Sequence, residues 1–173
     1  MNTRKNILSF PIFLLVFLIE ESIFNQIHLP FGGFSLFLIF SLSWCALSTP
    51  ETGAIAGFGA GLLMDLAPHS QGSVGQWTLV LIITGFGIAY LRYGDDSLRN
   101  SPLSLVVMVS LGVVVSLVLY VFAGALLGMD LGSSFQLMKT IIGNGVWTLA
   151  VTPFLLPIVS RLHGLIFETR ELK

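Results

Sequence analysis

Charge is what this sequence has least of. Only 10% of its 173 residues are Asp, Glu, Lys or Arg, against 54% that are hydrophobic, where a soluble domain carries about a quarter charged residues. The mean hydropathy is +0.90. Such a deficit excludes an ordinary water-soluble domain and implies an integral membrane protein. A net charge of −1 offers no basic face for nucleic acid. Cysteine is nearly missing. The single thiol, Cys45, lies in an apolar run, so no intrachain disulfide can form and no metal motif includes it. A small buried apolar residue is a better reading of it than a reactive thiol. The three histidines, His28, His69 and His163, stand apart, without the paired spacing of a metal site.

Enzyme signatures are missing in the same way. No serine has a Gly-x-Ser-x-Gly setting with a buried histidine beside it. An intramembrane aspartyl pair needs two acids on facing helices. Asp65 has no such mate, since Asp130 falls in a loop and Asp95 and Asp96 fall on the opposite side. The glycines of 53–61 have no strand before them and no lysine after them, which is the wrong context for phosphate. The sequence implies no catalytic constellation, no metal and no cofactor.

What is present is a series of apolar runs. Arg4 and Lys5 precede the first, and Glu20 and Glu21 follow it where a small-residue cleavage site would stand, so it reads as a retained helix. The pattern predicts an all-α membrane domain over 1–173 with six spans, near 7–24, 31–47, 50–66, 74–91, 103–127 and 137–160. The third is short. Its glycine-rich part, 53–66, has 14 residues, against about 20 for a full crossing. It therefore borrows residues from 48 onward or stays short and protein-covered. With six crossings, Arg4, Lys5, Arg92, Arg99, Arg161, Arg170 and Lys173 share one side, and Lys139 alone takes the other. That asymmetry places both termini in the cytoplasm. The two halves share no pattern of broken helices, which weakens an inverted-repeat transporter reading.

The third span carries the most information. Gly53, Gly57 and Gly61 are four residues apart, which puts three bare spots on one helix face. In water they would weaken a helix; in lipid they let another helix come into backbone contact. Asp65 and Pro68 end the segment. An acid at a helix C-terminus opposes the dipole, so Asp65 asks for a donor. The backbone of Gln71, Gly72 and Ser73 and the side chains of His69 and Ser70 are near in sequence. A clamp on that loop and plain exposure to water are both open readings. Glu20 and Glu21 point about 100° apart on a helix. They read as solvated headgroup-level acids or as outer-side contacts to a cation or partner. Asn144, between Gly143 and Gly145, reads as an interhelical hydrogen-bond donor.

Residues 53–92, GAIAGFGAGLLMDLAPHSQGSVGQWTLVLIITGFGIAYLR, resemble the signature region of the MreD family of bacterial rod shape-determining membrane proteins. The matching positions are Gly57, Gly61, Leu62, Asp65, Gly72, Gly75, Gly85 and Arg92; Val74 stands where the family often has leucine. The resemblance covers about a quarter of the chain. It implies a non-enzymatic subunit of the cell-elongation machinery in the cytoplasmic membrane, with MreC, a single-span protein, as partner. It also implies the more distant company of MreB, a RodA-type glycan polymerase and a transpeptidase of peptidoglycan synthesis. The implied fold is similar to the substrate-binding subunits of energy-coupling-factor transporters. The helix-packing and partner-binding residues would be Gly53, Gly57, Gly61, Asp65, Gly72 and Gly75. The same frame leaves an alternative, a vitamin-type transporter subunit, whose pocket would draw on Asn25, Gln26, His28, His69, Ser70, Gln71 and Asp130.

Overall fold

A computed structural model of the chain describes residues 3–23, 33–68, 72–94, 101–129 and 132–167. Among the described residues every regular element is a helix: α1 (Thr3–Ile23), α2 (Leu36–Leu47), α3 (Pro50–Asp65), α4 (Gln76–Gly94), α5 (Pro102–Leu126) and α6 (Ser134–Phe167). Three of them, α4, α5 and α6, are long and apolar enough to cross a membrane. α2 is apolar but has only 12 residues. The third helix starts at Pro50 and has 16 residues, so it does take up part of the link that precedes the glycines.

Local chemistry sets several of these ends. Ser35 caps α2 by accepting from the Leu38 N–H at 3.1 Å. Pro50 and Pro102 open α3 and α5, where a missing N–H costs nothing. α5 ends in a Schellman motif. Gly128 has φ +76, its N–H reaches the Ala125 carbonyl at 3.2 Å, and the Met129 N–H reaches Gly124 at 3.0 Å. α6 contains Pro153 and Pro157.

Successive helices run up and down. Phe13 of α1 lies against Phe40 and Trp44 of α2, and Phe17 against Phe37. Gly112 of α5 faces Ile88 of α4, and Ser116 bonds Thr84 at 3.1 Å. α6 runs alongside α2 in the same direction, with Trp147 by Phe34 and His163 edge-on to Trp44. One end of the bundle thus holds Arg92 and His163, and the other holds Glu20, Asp65 and Tyr120.

α2 is the core. Every residue from Phe37 to Ala46 is buried. The ring of Phe13 meets those of Phe37, Phe40 and Trp44 edge to face, with centroids 5.3–6.1 Å apart. α4 and α5 instead leave regular rows of large apolar side chains outside, such as Leu79, Ile83 and Phe86, or Leu103, Val107 and Leu111. An inside-out distribution of this kind suits a hydrocarbon solvent rather than water.

Candidate functional site

The glycines of α3 and the first turn of α4 form one structure. A Cβ on Gly53 would stand 2.8 Å from the Ala89 Cβ and 3.0 Å from the Gly85 carbonyl oxygen. On Gly57 it would collide with the Leu81 carbonyl group, and on Gly61 with the Thr78 backbone. Four residues up α3 correspond to about four residues down α4, so the two helices lie antiparallel and in backbone contact. Gly85 reciprocates: its Cβ would be 3.0 Å from the Gly53 oxygen and from the Cys45 Sγ. Cys45 is wholly buried, and its thiol donates to the Gly53 carbonyl at 3.3 Å. The face that Gly53, Gly57 and Gly61 present is filled within the chain by α4.

Asp65 continues the same spacing of four, so it falls on the same stripe and faces α4. It is 8% exposed. Its Oδ1 accepts from the Trp77 N–H at 2.9 Å. Its Oδ2 accepts from the Gly75 N–H at 3.0 Å, the Thr78 N–H at 2.9 Å and the Thr78 hydroxyl at 2.6 Å. The Trp77 and Thr78 N–H groups are those an N-cap side chain would satisfy. Gly75 holds the cap position, since its carbonyl accepts the first helical bond from Leu79 at 2.9 Å. It has no side chain to offer, and its φ of +94 suits glycine. Asp65 supplies the missing cap from the neighbouring helix. The carboxylate also meets the positive end of the α4 dipole, which offsets the negative end of its own helix.

The donors are not those nearest to Asp65 in sequence. The Ser73 N–H goes to Gln76 Oε1 at 3.1 Å, while His69, Ser70 and Gln71 lie outside the described residues. Gln76 is buried and also donates to the Tyr120 carbonyl of α5 at 2.8 Å. Trp77 stacks on Tyr120 with centroids 4.2 Å apart. A Cβ on Gly72 would strike the Tyr120 hydroxyl and lie 2.8 Å from Gln76 Oε1. Gly72 and Gly75 therefore belong to the same corner as Asp65, and Tyr120, Gln76, Trp77 and Thr78 complete it. Sequence reasoning missed those four. Ser73-Val74-Gly75-Gln76 has the Ser-x-x-Gln spacing of a capping box, and its glutamine half forms, with Gln76 Oε1 accepting from the Ser73 N–H although Gly75 is the cap; nothing local could have shown Tyr120.

Two other charged side chains do similar work. Glu20, near the end of α1, accepts from the Phe37 N–H in the first turn of α2. Glu21 is partly exposed beside it. At the opposite end Arg92 donates from Nη1 to the Ala46 carbonyl of α2 at 2.6 Å, a cation on a helix C-terminus. Near it, Ser48 Oγ lies 3.2 Å from His163 Nε2. Asn144 is buried and donates to the Thr140 carbonyl of its own helix at 3.3 Å.

Asp65 accepts four hydrogen bonds, three on Oδ2 and one on Oδ1, all from the cap and first turn of α4, so the carboxylate holds a helix end. The polar residues of the possible vitamin pocket, Asn25, Gln26, His28, His69, Ser70, Gln71 and Asp130, all lie outside the described residues. Comparison with protein-family models, with curated proteins and with solved structures gave no match.

Proposed function

We propose that the chain is a membrane scaffold of the bacterial cell-elongation machinery, of MreD type, that positions a single-span MreC-type protein relative to the peptidoglycan synthases. The observation that carries this reading is the α3–α4 hairpin. The stretch that resembles the MreD signature folds into one rigid unit of glycine seam and Asp65 cap, and its chemistry is that of packing. The six helices each cross the cytoplasmic membrane, and the Arg92 end faces the cytoplasm, following the basic residues. α2 can be as short as 12 residues because Phe37 to Ala46 are all covered by other helices and meet no lipid.

The test is isolation of the tagged chain from membranes that also carry an MreC-type single-span protein. A stoichiometric complex that survives mild detergent is the expected result. Failure to form it, together with saturable binding of a vitamin-sized ligand, would overturn the scaffold in favour of a transporter subunit.

A further inference from the structure

We propose that the groove between α1 and α3 is the seat of a partner's single transmembrane helix, bearing a large aliphatic side chain over Gly59 and a Lys or Arg at its cytoplasmic flank. The proposal rests on the scaffold reading and adds the surface and the recognition chemistry.

α3 has two faces. One is the seam against α4. The other carries Ile55, Phe58, Gly59 and Leu62, and a Cβ on Gly59 would meet nothing within 4 Å. That face and Phe10 of α1 enclose a groove of about 620 Å³ whose floor includes the buried Trp44. Ile55, Phe58 and Leu62 are each 40–53% exposed. A 16-residue helix is about 24 Å long, shorter than the roughly 30 Å of hydrocarbon it must match. Such a mismatch is relieved when protein, rather than lipid, covers the helix.

Charge selects among the occupants. Glu51 lies four residues before Ile55 and seven before Phe58, on the same stripe, and is exposed. It marks the end of the groove on the Arg92 side. A single-span protein carries its Lys and Arg on the cytoplasmic flank of its span, at the level of Glu51. An acyl chain brings no cation there.

The experiment uses the full chain co-expressed in membranes with the MreC-type protein. A photoreactive phenylalanine analogue in place of Phe58 should crosslink to the partner's span. Crosslinks to lipid alone, or to a second copy, overturn the proposal. Gly59→Trp fills the groove and should lower complex yield by about tenfold, equivalent to about 1.4 kcal/mol. Gly87→Trp, at another position with open space around its Cβ, should leave the yield unchanged. Glu51→Lys should weaken the complex, and a Lys→Glu or Arg→Glu change in the partner's flank should restore it. A wild-type complex that Gly59→Trp leaves intact sinks the groove while the scaffold stands. No complex with the wild-type chain sinks the scaffold itself, and the groove proposal with it.

Discussion

Replacing Asp65 separates a trans cap from a merely tolerated acid. Asp65→Leu leaves three backbone N–H groups and one hydroxyl without their acceptor. An unsatisfied buried group costs about 1–3 kcal/mol, but neighbouring losses do not add, so about 3–5 kcal/mol is the expected total. Asp65→Asn is milder. Its one oxygen can take the Oδ2 position, where three of the four bonds end, while its NH₂ opposes the Trp77 N–H and the charge is lost. That variant should lose about 1–2 kcal/mol. For a chain of this size, one kcal/mol corresponds to about 2–4 °C in melting temperature. The two variants should therefore melt about 10 °C and about 4 °C below the wild type. The chain supplies its own reporter. Cys45 is the one cysteine, is wholly buried, and touches the seam at Gly53 and Gly85. Its reaction with a fluorogenic maleimide during heating reports the opening of the α3–α4 pair. If the Leu and Asn variants melt together, or the Leu variant melts with the wild type, the cap is not what holds the corner.

The same melt distinguishes the two kinds of glycine in α3. Gly57→Ala drives a methyl into the Leu81 carbonyl, backbone that cannot rotate away, and should cost about 1–3 kcal/mol. Gly59→Ala meets open space and should be neutral or stabilising by up to about 1 kcal/mol; equal losses at both positions would refute the seam. Arg92→Gln removes the cation from the Ala46 carbonyl and should cost about 1–2 kcal/mol, with Arg92→Lys intermediate. A Gln variant as stable as the wild type would show that the contact contributes nothing.

Helix existence was legible because apolar runs and their breaks are local. The starts at Pro50 and Pro102 follow from proline's place in a first turn. The helices reach Gly94 and Phe167, past the expected 91 and 160, because a helix does not stop at the first charged residue, here Arg92 and Arg161. α2 starts at Leu36, five residues after the expected 31, where Ser35 and Glu20 supply the caps. Gly53, Gly57 and Gly61 were legible as a face, since spacing fixes direction around a helix. What that face would meet was not. The counterpart on α4 is Leu81, Gly85 and the Thr78 backbone, and backbone has no sequence signature. Asp65 was legible as an acid in need of donors, yet the donors arrive from residues ten to thirteen positions later. Local reasoning looked at the loop, whereas antiparallel packing brought the next helix's first turn.

Asp65 and the glycines solve two halves of one problem. A flat glycine face maximises approach but has no knobs to set register, so two such helices could slide by a turn, about 5.4 Å, at little cost in contact. A carboxylate at the end of the stripe removes that freedom, because its four bonds form in only one register. The acid is unfavourable on its own helix and favourable on the next one. In an up-down bundle those two ends are always neighbours, so the penalty within one helix becomes a preference between two. Glu20 of α1 at the start of α2 and Arg92 of α4 at its far end obey the same logic. Each places a charge where a neighbouring helix terminus presents the opposite partial charge. A chain with so few charges thereby uses three of them to fix the positions of α1, α2, α3 and α4 relative to one another. Such fixed geometry is what a protein needs if its task is to hold another at a set position in the membrane.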